Sequence, residues 1–263
     1  MQISGCTVLL TGASGGIGHA IARSLAARGG KLILTGRRSG VLDELAAELG
    51  ARTLVVDLCV PEQLEQLVRD AGEVDILVAN AALPAAGTLD SFSVAEIDRA
   101  LDVNLRAPIV LAHELAPGMV SRRRGHLLFM SSLAGKTATP GTAIYNATKY
   151  GLRGFASALR SDLRGAGVGV STVFPGFIRD AGMFAEAEVS LPPGVGTRTP
   201  DDVAKAVVRA IEHDRGEVDV APLPLRAGAI FGSLAPELAA SVARRLGSHE
   251  ITRQMEEGQR EKR

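Results

Sequence analysis

Both tyrosines of this 263-residue chain lie in one short stretch, AIYNATKYG at 143–151, on either side of Lys149. A free phenol titrates near pH ~10, too high for ready proton exchange at neutrality, and a nearby ammonium favours the phenolate and lowers that value. The stretch reads as helical, and residues four apart on a helix share a face. Tyr145 and Lys149 therefore form the working pair. Tyr150 points elsewhere and reads as a packing or surface residue. Lys149 also has the reach to hydrogen-bond a ribose hydroxyl, which would join proton donor to cofactor. A Tyr-x-x-x-Lys match alone arises on many helices by chance. It gains weight from Ser131-Ser132, which end the strand-like run HLLFMS; Ser132 precedes Tyr145 by 13 residues, and its hydroxyl could hold a substrate oxygen beside the phenol. Asn104, in DVNL, is a polar residue in an apolar helical setting; read alone it interrupts a helix and is satisfied by backbone groups.

A second set of residues suits a phosphate. The first strand runs straight into TGASGGIG, residues 11–18, which opens a helix. Gly12, Gly16 and Gly18 permit a tight turn and close approach of the backbone to a pyrophosphate, and the helix start, with Ser14, Gly15 and Ile17, offers free N–H groups to the charge. A glycine cluster alone is a turn; between a strand and a helix it points to a dinucleotide. Between residues 30 and 42 the only charged side chains are Lys31, Arg37 and Arg38, with no acid before Asp43. An NAD site wants a carboxylate there, whereas a guanidinium suits a 2′-phosphate. Arg37 and Arg38 are either a solvated basic loop or that phosphate seat, and the missing acid favours NADP(H). Asp57 and Leu58 at the end of the third strand, and Asn80 and Ala81 at the end of the fourth, lie on the sheet edge where such folds bind ligands. Asp57 is the adenine candidate; either polar residue could instead cap the turn that follows.

The elements that must position these groups are short apolar runs alternating with longer helical patterns. Strands are expected at 6–11, 31–35, 52–57, 75–80, 126–131, 169–174 and 217–221, apolar on both faces as in a covered parallel sheet. Helical segments such as IGHAIARSLAARG, VLDELAAELG and PEQLEQLVRDAG each close at Gly. The alternation predicts an α/β fold, a Rossmann-type doubly wound parallel sheet of about seven strands in a single domain over 1–263. Residues 175–199 form a long, weakly periodic stretch carrying Phe177, Ile178, Met183, Phe184 and Leu191. It reads as a lid over a substrate pocket or as a surface loop packing its own side chains. Thr199-Pro200-Asp201-Asp202 then starts a helix as N-cap and first turn. In the tail, 234–263, Leu234, Leu238, Val242 and Leu246 recur every four residues, an amphipathic helix that could cover the lid, meet a second subunit or lie on a membrane; docking onto the protein is preferred.

Composition narrows the function class. Lys plus Arg and Asp plus Glu each number 29, which gives no electrostatic reason to expect nucleic acid. Cys6 and Cys59 make neither a disulfide framework nor a zinc set and read as buried thiols of strand-like runs. The five histidines are scattered, with surface or capping roles expected and no metal site. Arg122-Arg123-Arg124 reads as a solvated turn. No signal peptide or spanning helix is expected, and the location is expected to be cytoplasmic.

TGASGGIG, the NAA at 80–82, Asn104 in DVNL, Ser132 in FMSSLAG, YNATK and the FPG at 174–176 stand in the order and spacing of the short-chain dehydrogenase/reductase family. The chain resembles that family over roughly residues 5 to 222. The resemblance implies strand order 3-2-1-4-5-6-7, with Tyr145 as general acid/base, Lys149 lowering its pKa and binding the nicotinamide ribose, and Ser132 positioning the substrate oxygen. It implies that Asn104 holds a water relaying protons from Lys149, that Arg37 is the NADP-selecting base, and that Pro175, Gly176 and Ile178 meet the nicotinamide end. A homodimer or homotetramer through 93–117 and 143–164 is implied likewise. Two positions depart from the family pattern. Ala79-Asn80-Ala81-Ala82 replaces Asn-Asn-Ala-Gly, and no Thr follows Pro175-Gly176. The expected function is NADP(H)-dependent interconversion of a carbonyl and a secondary alcohol on an apolar small molecule. The alternatives are a 3-oxoacyl-carrier reductase and a non-catalytic NADP(H)-sensing protein.

Overall fold

The structure is a computed structural model that describes residues 1–187, 189, 191, 195–235, 237–238 and 248–259. Seven parallel strands form one sheet in the order β3-β2-β1-β4-β5-β6-β7. They are β1 Thr7–Thr11, β2 Lys31–Gly36, β3 Arg52–Val55, β4 Ile76–Ala79, β5 Gly125–Met130, β6 Val168–Pro175 and β7 Glu217–Val220. The helices are α1 Gly16–Ala26, α2 Ser39–Leu49, α3 Pro61–Ala71, α4 Val94–Leu101, α5 Ala107–Ser121, α6 Ala143–Asp162, α7 Met183–Glu186, α8 Pro200–Glu212 and α9 Leu223–Leu234.

The apolar runs are explained by what covers them. Along β1, Val8 and Leu10 enter a core layer with Ile21 of α1, Leu42 of α2 and Val207 of α8. Leu9, between them, enters the opposite layer with Leu64 of α3, Leu111 of α5 and Leu152 of α6. Because successive strand residues face opposite sides, a strand with helices on both faces must be apolar throughout. The edge strands break this expectation. β3 exposes Arg52 and Val55, and β7 exposes Glu217, since each lacks a neighbour on one side.

Helix ends follow the glycine expectation at α2 and α3, where Gly50 and Gly72 take φ of 62° and 68°. α1 instead stops at Ala26, and the positive φ waits for Gly29. α8 opens with the expected cap: Thr199 and Asp202 bond each other's backbone N–H groups reciprocally.

Several smaller expectations are corrected. Cys6 is buried just before β1, but Cys59 is half-buried in the turn before α3 rather than on a strand. His126 is no surface residue; it lies buried in β5 with Nε2 2.8 Å from the Ser171 hydroxyl. The three consecutive arginines are the exposed turn expected, and each also bonds a neighbouring segment. Arg122 donates to Val74 O and pairs with Glu73, Arg123 donates to Gly165 O, and Arg124 donates to the Cys6 sulfur and faces Asp75. α9 was not expected. Leu234 ends it exposed, Leu238 is exposed, and Val242 and Leu246 lie outside the described residues. A further helix, Ser248–Gln259, returns to the body: Gln259 is buried and its Nε2 donates to Met183 O at 2.8 Å. This helix lies beyond the 234–246 stretch, whose three options fall largely outside the described residues, and its Gln259 end touches the 175–199 segment. Among the described residues no helix is long and apolar enough to cross a membrane.

Candidate active site

The reacting end is built where β5 stops beside α6. The Ser131 backbone N–H still pairs with Val173 O of β6, and the chain then enters a tight turn, Leu133–Gly135, capped by Ser132. Two bonds tie this strand end to the helix. Ser131 Oγ donates to Lys149 O at 3.1 Å, and Lys149 Nζ donates back to Met130 O at 3.0 Å. A Cβ at residue 135 would stand 2.6 Å from Ser131 Oγ and 2.7 Å from Lys149 O, so only glycine admits this approach. Ser132 Oγ accepts from Ala134 N at 3.2 Å, and Ser132 is the side chain whose proximity lowers the pKa of the Tyr145 phenol. Ser132, Tyr145 and Lys149 thus come together as expected. Tyr150 is 39% exposed.

The electrostatics differ from the expectation. Burial pushes the Tyr145 phenol up to about 12, with the Ser132 side chain opposing, and burial lowers Lys149 to about 8. Lys149 Nζ lies 5.5 Å from the Tyr145 ring centroid but spends its hydrogen bond on Met130 O. Desolvation sets the direction of both shifts, and the group that opposes it at the phenol is Ser132, not the ammonium. Asn104 sits buried in one π-helical turn, Asp102–Arg106. Its Nδ2 donates to Leu83 O at 2.9 Å and its Oδ1 accepts from Leu83 N at 2.6 Å. The backbone-satisfied reading describes that amide; one N–H and one lone pair remain for a water.

At the phosphate end the glycines have distinct tasks. Gly12 takes φ 66°, and a Cβ there would meet Ala81 Cα at 2.7 Å. A Cβ on Gly18 would meet Gly12 O at 2.3 Å, so that glycine serves helix-to-turn packing. Gly15 precedes α1 with no side-chain cap, and the first turn holds no acid. The opening N–H groups are thus left to a ligand or to solvent, the donor set an anion needs. Asn80 faces the turn rather than outwards: its Nδ2 donates to Thr11 O at 3.1 Å and Gly12 O at 3.2 Å. Thr11 Oγ1 in turn accepts from the Asn80 and Ala81 N–H groups. Asp57 Oδ1 accepts from Cys59 N at 3.0 Å, which is the turn-capping alternative, and Leu58 is buried beside it. Ala82 has no positive φ, so its Cβ strains nothing. Arg37 is exposed and without a hydrogen bond, whereas Arg38 donates to Ser14 O.

Described residues of the 175–199 segment touch both ends. Gly176 N pairs with Val220 O, and Pro175 O accepts weakly from Ser132 Oγ at 3.4 Å. Ile178 is buried at a bridge to Arg198 that uses Phe177 O but neither backbone group of Ile178. The Phe177 and Phe184 rings lie 5.0 Å apart. A Cβ on Gly16 would be 2.5 Å from Ala181 Cβ, and one on Gly182 would be 2.9 Å from Ile17 Cδ1. The segment therefore rests directly on the first turn of α1.

Sequence reasoning passed over Thr11, Ser131 and Asn146, each of which hydrogen-bonds backbone beside a proposed site residue. It also passed over Lys136, whose Nζ meets Asp219 at 2.6 Å and Glu217 at 2.9 Å above the Phe174 ring. Their common signal was a polar side chain beside a motif residue, which reports no partner until the fold is known.

A family model described as short chain dehydrogenase matches residues 6–190. Ketoacyl reductase HetN of a Nostoc species is 37% identical over 232 residues, covering 85% of this chain and 81% of that protein. The 3-oxoacyl-acyl-carrier-protein reductase FabG of Rickettsia conorii is 34% identical over 215 residues, covering 79% and 89% respectively. A solved short-chain dehydrogenase from Sphingobium yanoikuyae in complex with NADPH has a TM-score of 0.77 at 28% identity, covering 89% of this chain and 95% of that one.

Proposed function

The chain belongs to the short-chain dehydrogenase family, and from that we propose that it is an NADP(H)-dependent oxidoreductase interconverting a carbonyl and a secondary alcohol on an apolar small molecule. The observation that carries this reading is that Ser132, at the strand end that Lys149 staples to α6, is the side chain acting on the buried Tyr145 phenol. A phenol held near 12 is protonated at neutral pH. In that form it is the proton donor a carbonyl oxygen needs, and as phenolate it would be the acceptor for an alcohol proton. Ser132 would hold that oxygen, and Lys149, with two further N–H groups, would hold a ribose hydroxyl.

NADP(H), when bound, supplies or accepts the hydride. Residues Gly12, Ser14, Gly15, Gly16, Ile17 and Gly18 would hold its diphosphate, with the uncapped start of α1 as donor set. Arg37 would meet the 2′-phosphate, while Arg38, bonded to Ser14 O, ties Arg37's loop to that turn. Asp57, Leu58, Asn80 and Ala81 would border the adenosine half, and Pro175, Gly176 and Ile178 the nicotinamide. Asn104 keeps capacity for a proton-relay water. The apolar preference is supported by Phe177, Met183 and Phe184 in the proposed lid.

A 3-oxoacyl substrate on a carrier is the second reading, supported by the named activities of two relatives. Purified protein should be offered NADPH or NADH with ketones and 3-oxoacyl thioesters while cofactor oxidation is followed. Oxidation of NADPH well above NADH is expected. Tight NADPH binding without oxidation on any substrate would overturn the proposal in favour of a sensing protein.

A further inference from the structure

We infer that Asn146 is a positioning residue: it fixes the loop that begins at Ser132 onto the helix that carries Tyr145, and so sets the distance between the two hydroxyls. The inference rests on the acid/base reading of Tyr145 and deepens it. Asn146 follows Tyr145 on α6 and is 7% exposed, so its amide is not a solvent group. Its Nδ2 donates to Ala134 O and, at 3.0 Å, to Thr137 O, and its Oδ1 accepts from the Thr142 hydroxyl. Both amide protons are thus spent on one loop.

That loop behaves as a unit with Ser132 at its head. Ser132 Oγ accepts from Ala134 N, Ser132 O accepts from Gly135 N at 2.8 Å, and Leu133 O accepts from Lys136 N at 2.8 Å and Thr137 N at 3.1 Å. Its near end is fixed to α6 by the Ser131–Lys149–Met130 staple, and Gly135 rests on Lys149 O. Its far end is tied to α6 by the Asn146 amide, while Lys136, between the two carbonyls that amide bonds, is held from the other side by Ser233 on its O and by Asp219 and Glu217 on its Nζ. Ser132 therefore heads a loop tied at two points to the same helix, at Asn146 and Lys149, with Tyr145 directly before the first of them in sequence. Without the Asn146 amide, the carbonyls of Ala134 and Thr137 lose their donor, and the loop can shift away from α6 between the Lys149 staple and Lys136. A shift of about 1 Å at a reacting group costs on the order of a hundred-fold in rate, whereas the glycine turn that would hold the cofactor is untouched.

The chain has two tyrosines and no tryptophan, so protein labelled with 3-fluorotyrosine gives two fluorine resonances, assigned with Tyr150→Phe. Asn146→Ala and the isosteric Asn146→Asp, which keeps the volume and removes both donors, should be compared with Ser132→Ala. The expected result is a Tyr145 resonance displaced in the same sense in all three. In both Asn146 variants turnover should fall by about ten- to a hundred-fold with NADPH affinity unchanged. In Asn146→Asp turnover should recover partly at low pH, where a protonated carboxyl regains one donor. If Asn146→Ala does not fold, Asn146→Asp alone decides. An unmoved resonance and unchanged turnover in a folded variant would overturn the inference, even if thermal stability drops. If Tyr145→Phe also retains turnover, it is the acid/base reading that has failed.

Discussion

The wall that carries Ser132, Tyr145 and Lys149 and the segment that follows β6 are held by different kinds of contact. In the wall, side chains bond main chain across two elements: Ser131 to Lys149 O, Lys149 to Met130 O, Asn146 to Thr137 O. Such bonds are directional, and buried ones are costly to leave unmade. The proposed lid is held by small residues instead: Ala181 against Gly16, Gly182 against Ile17, Ala187 against Gly258. Gln259 adds one side-chain bond to Met183 O. Small-residue contacts bury little and break cheaply. That suits a segment lying on the turn where a diphosphate would sit and which must part for cofactor exchange. One region stores geometry; the other stores access.

Breaking the wall should have the largest effect. Ser132→Ala is expected to lower kcat by about a hundred- to a thousand-fold, as for loss of one preorganised donor, with NADPH binding intact in a fluorescence titration. Loss of NADPH binding instead would mean that wall and cofactor seat are not separable.

Acid should weaken the wall's own strand. Burial lowers His126 in β5 from 6.5 to about 4, with Asp214 opposing and Arg160 and the N-terminus assisting. The folded state then binds fewer protons than the unfolded chain. Stability is full above pH 6.5 and is lost as pH falls towards 4, by about 3 kcal/mol from this group. Denaturant melts across that window should show the slope; a flat profile would contradict a neutral buried imidazole.

Arg37→Ala should weaken NADPH by about ten-fold or more, the value of a charge-assisted hydrogen bond, and leave NADH unchanged. Equal losses would mean that Arg37 does not read the 2′-phosphate. The smallest effect belongs to the lid. Gln259→Ala removes a bond worth about 1 kcal/mol and should speed NADPH exchange about five-fold in stopped flow, with single-turnover chemistry unaltered. A slowed chemical step would show that lid and wall are one unit.

How much of this was legible depended on whether the cause was local. The seven strands were, because double-sided burial leaves unbroken apolar runs such as TVLLT and ILVA, whereas their order came only with the family resemblance. Edge strands were harder, since RTLV and EVDV face solvent on terms set by the missing neighbour. α9 escaped because Leu223, Ile230 and Phe231 are exposed, so its apolar residues do not mark a buried stripe. The Tyr145–Lys149 pair followed from helical spacing, yet the sign of the phenol's shift did not: desolvation belongs to the tertiary crevice, and it outweighs the opposing Ser132 side chain. Asn80 shows the same limit. Its place at the strand edge was readable, but its use in bracing Gly12 depends on β1 and β4 being neighbours.

The central claim is that one of two phenols beside Lys149 donates the proton. Turnover and NADPH affinity of Tyr145→Phe and Tyr150→Phe, measured side by side, test it most directly. Tyr145→Phe should lose about a hundred- to ten-thousand-fold in kcat and keep its NADPH affinity, while Tyr150→Phe stays near the parent. Retained turnover in Tyr145→Phe, or an equal loss in Tyr150→Phe, would contradict the account.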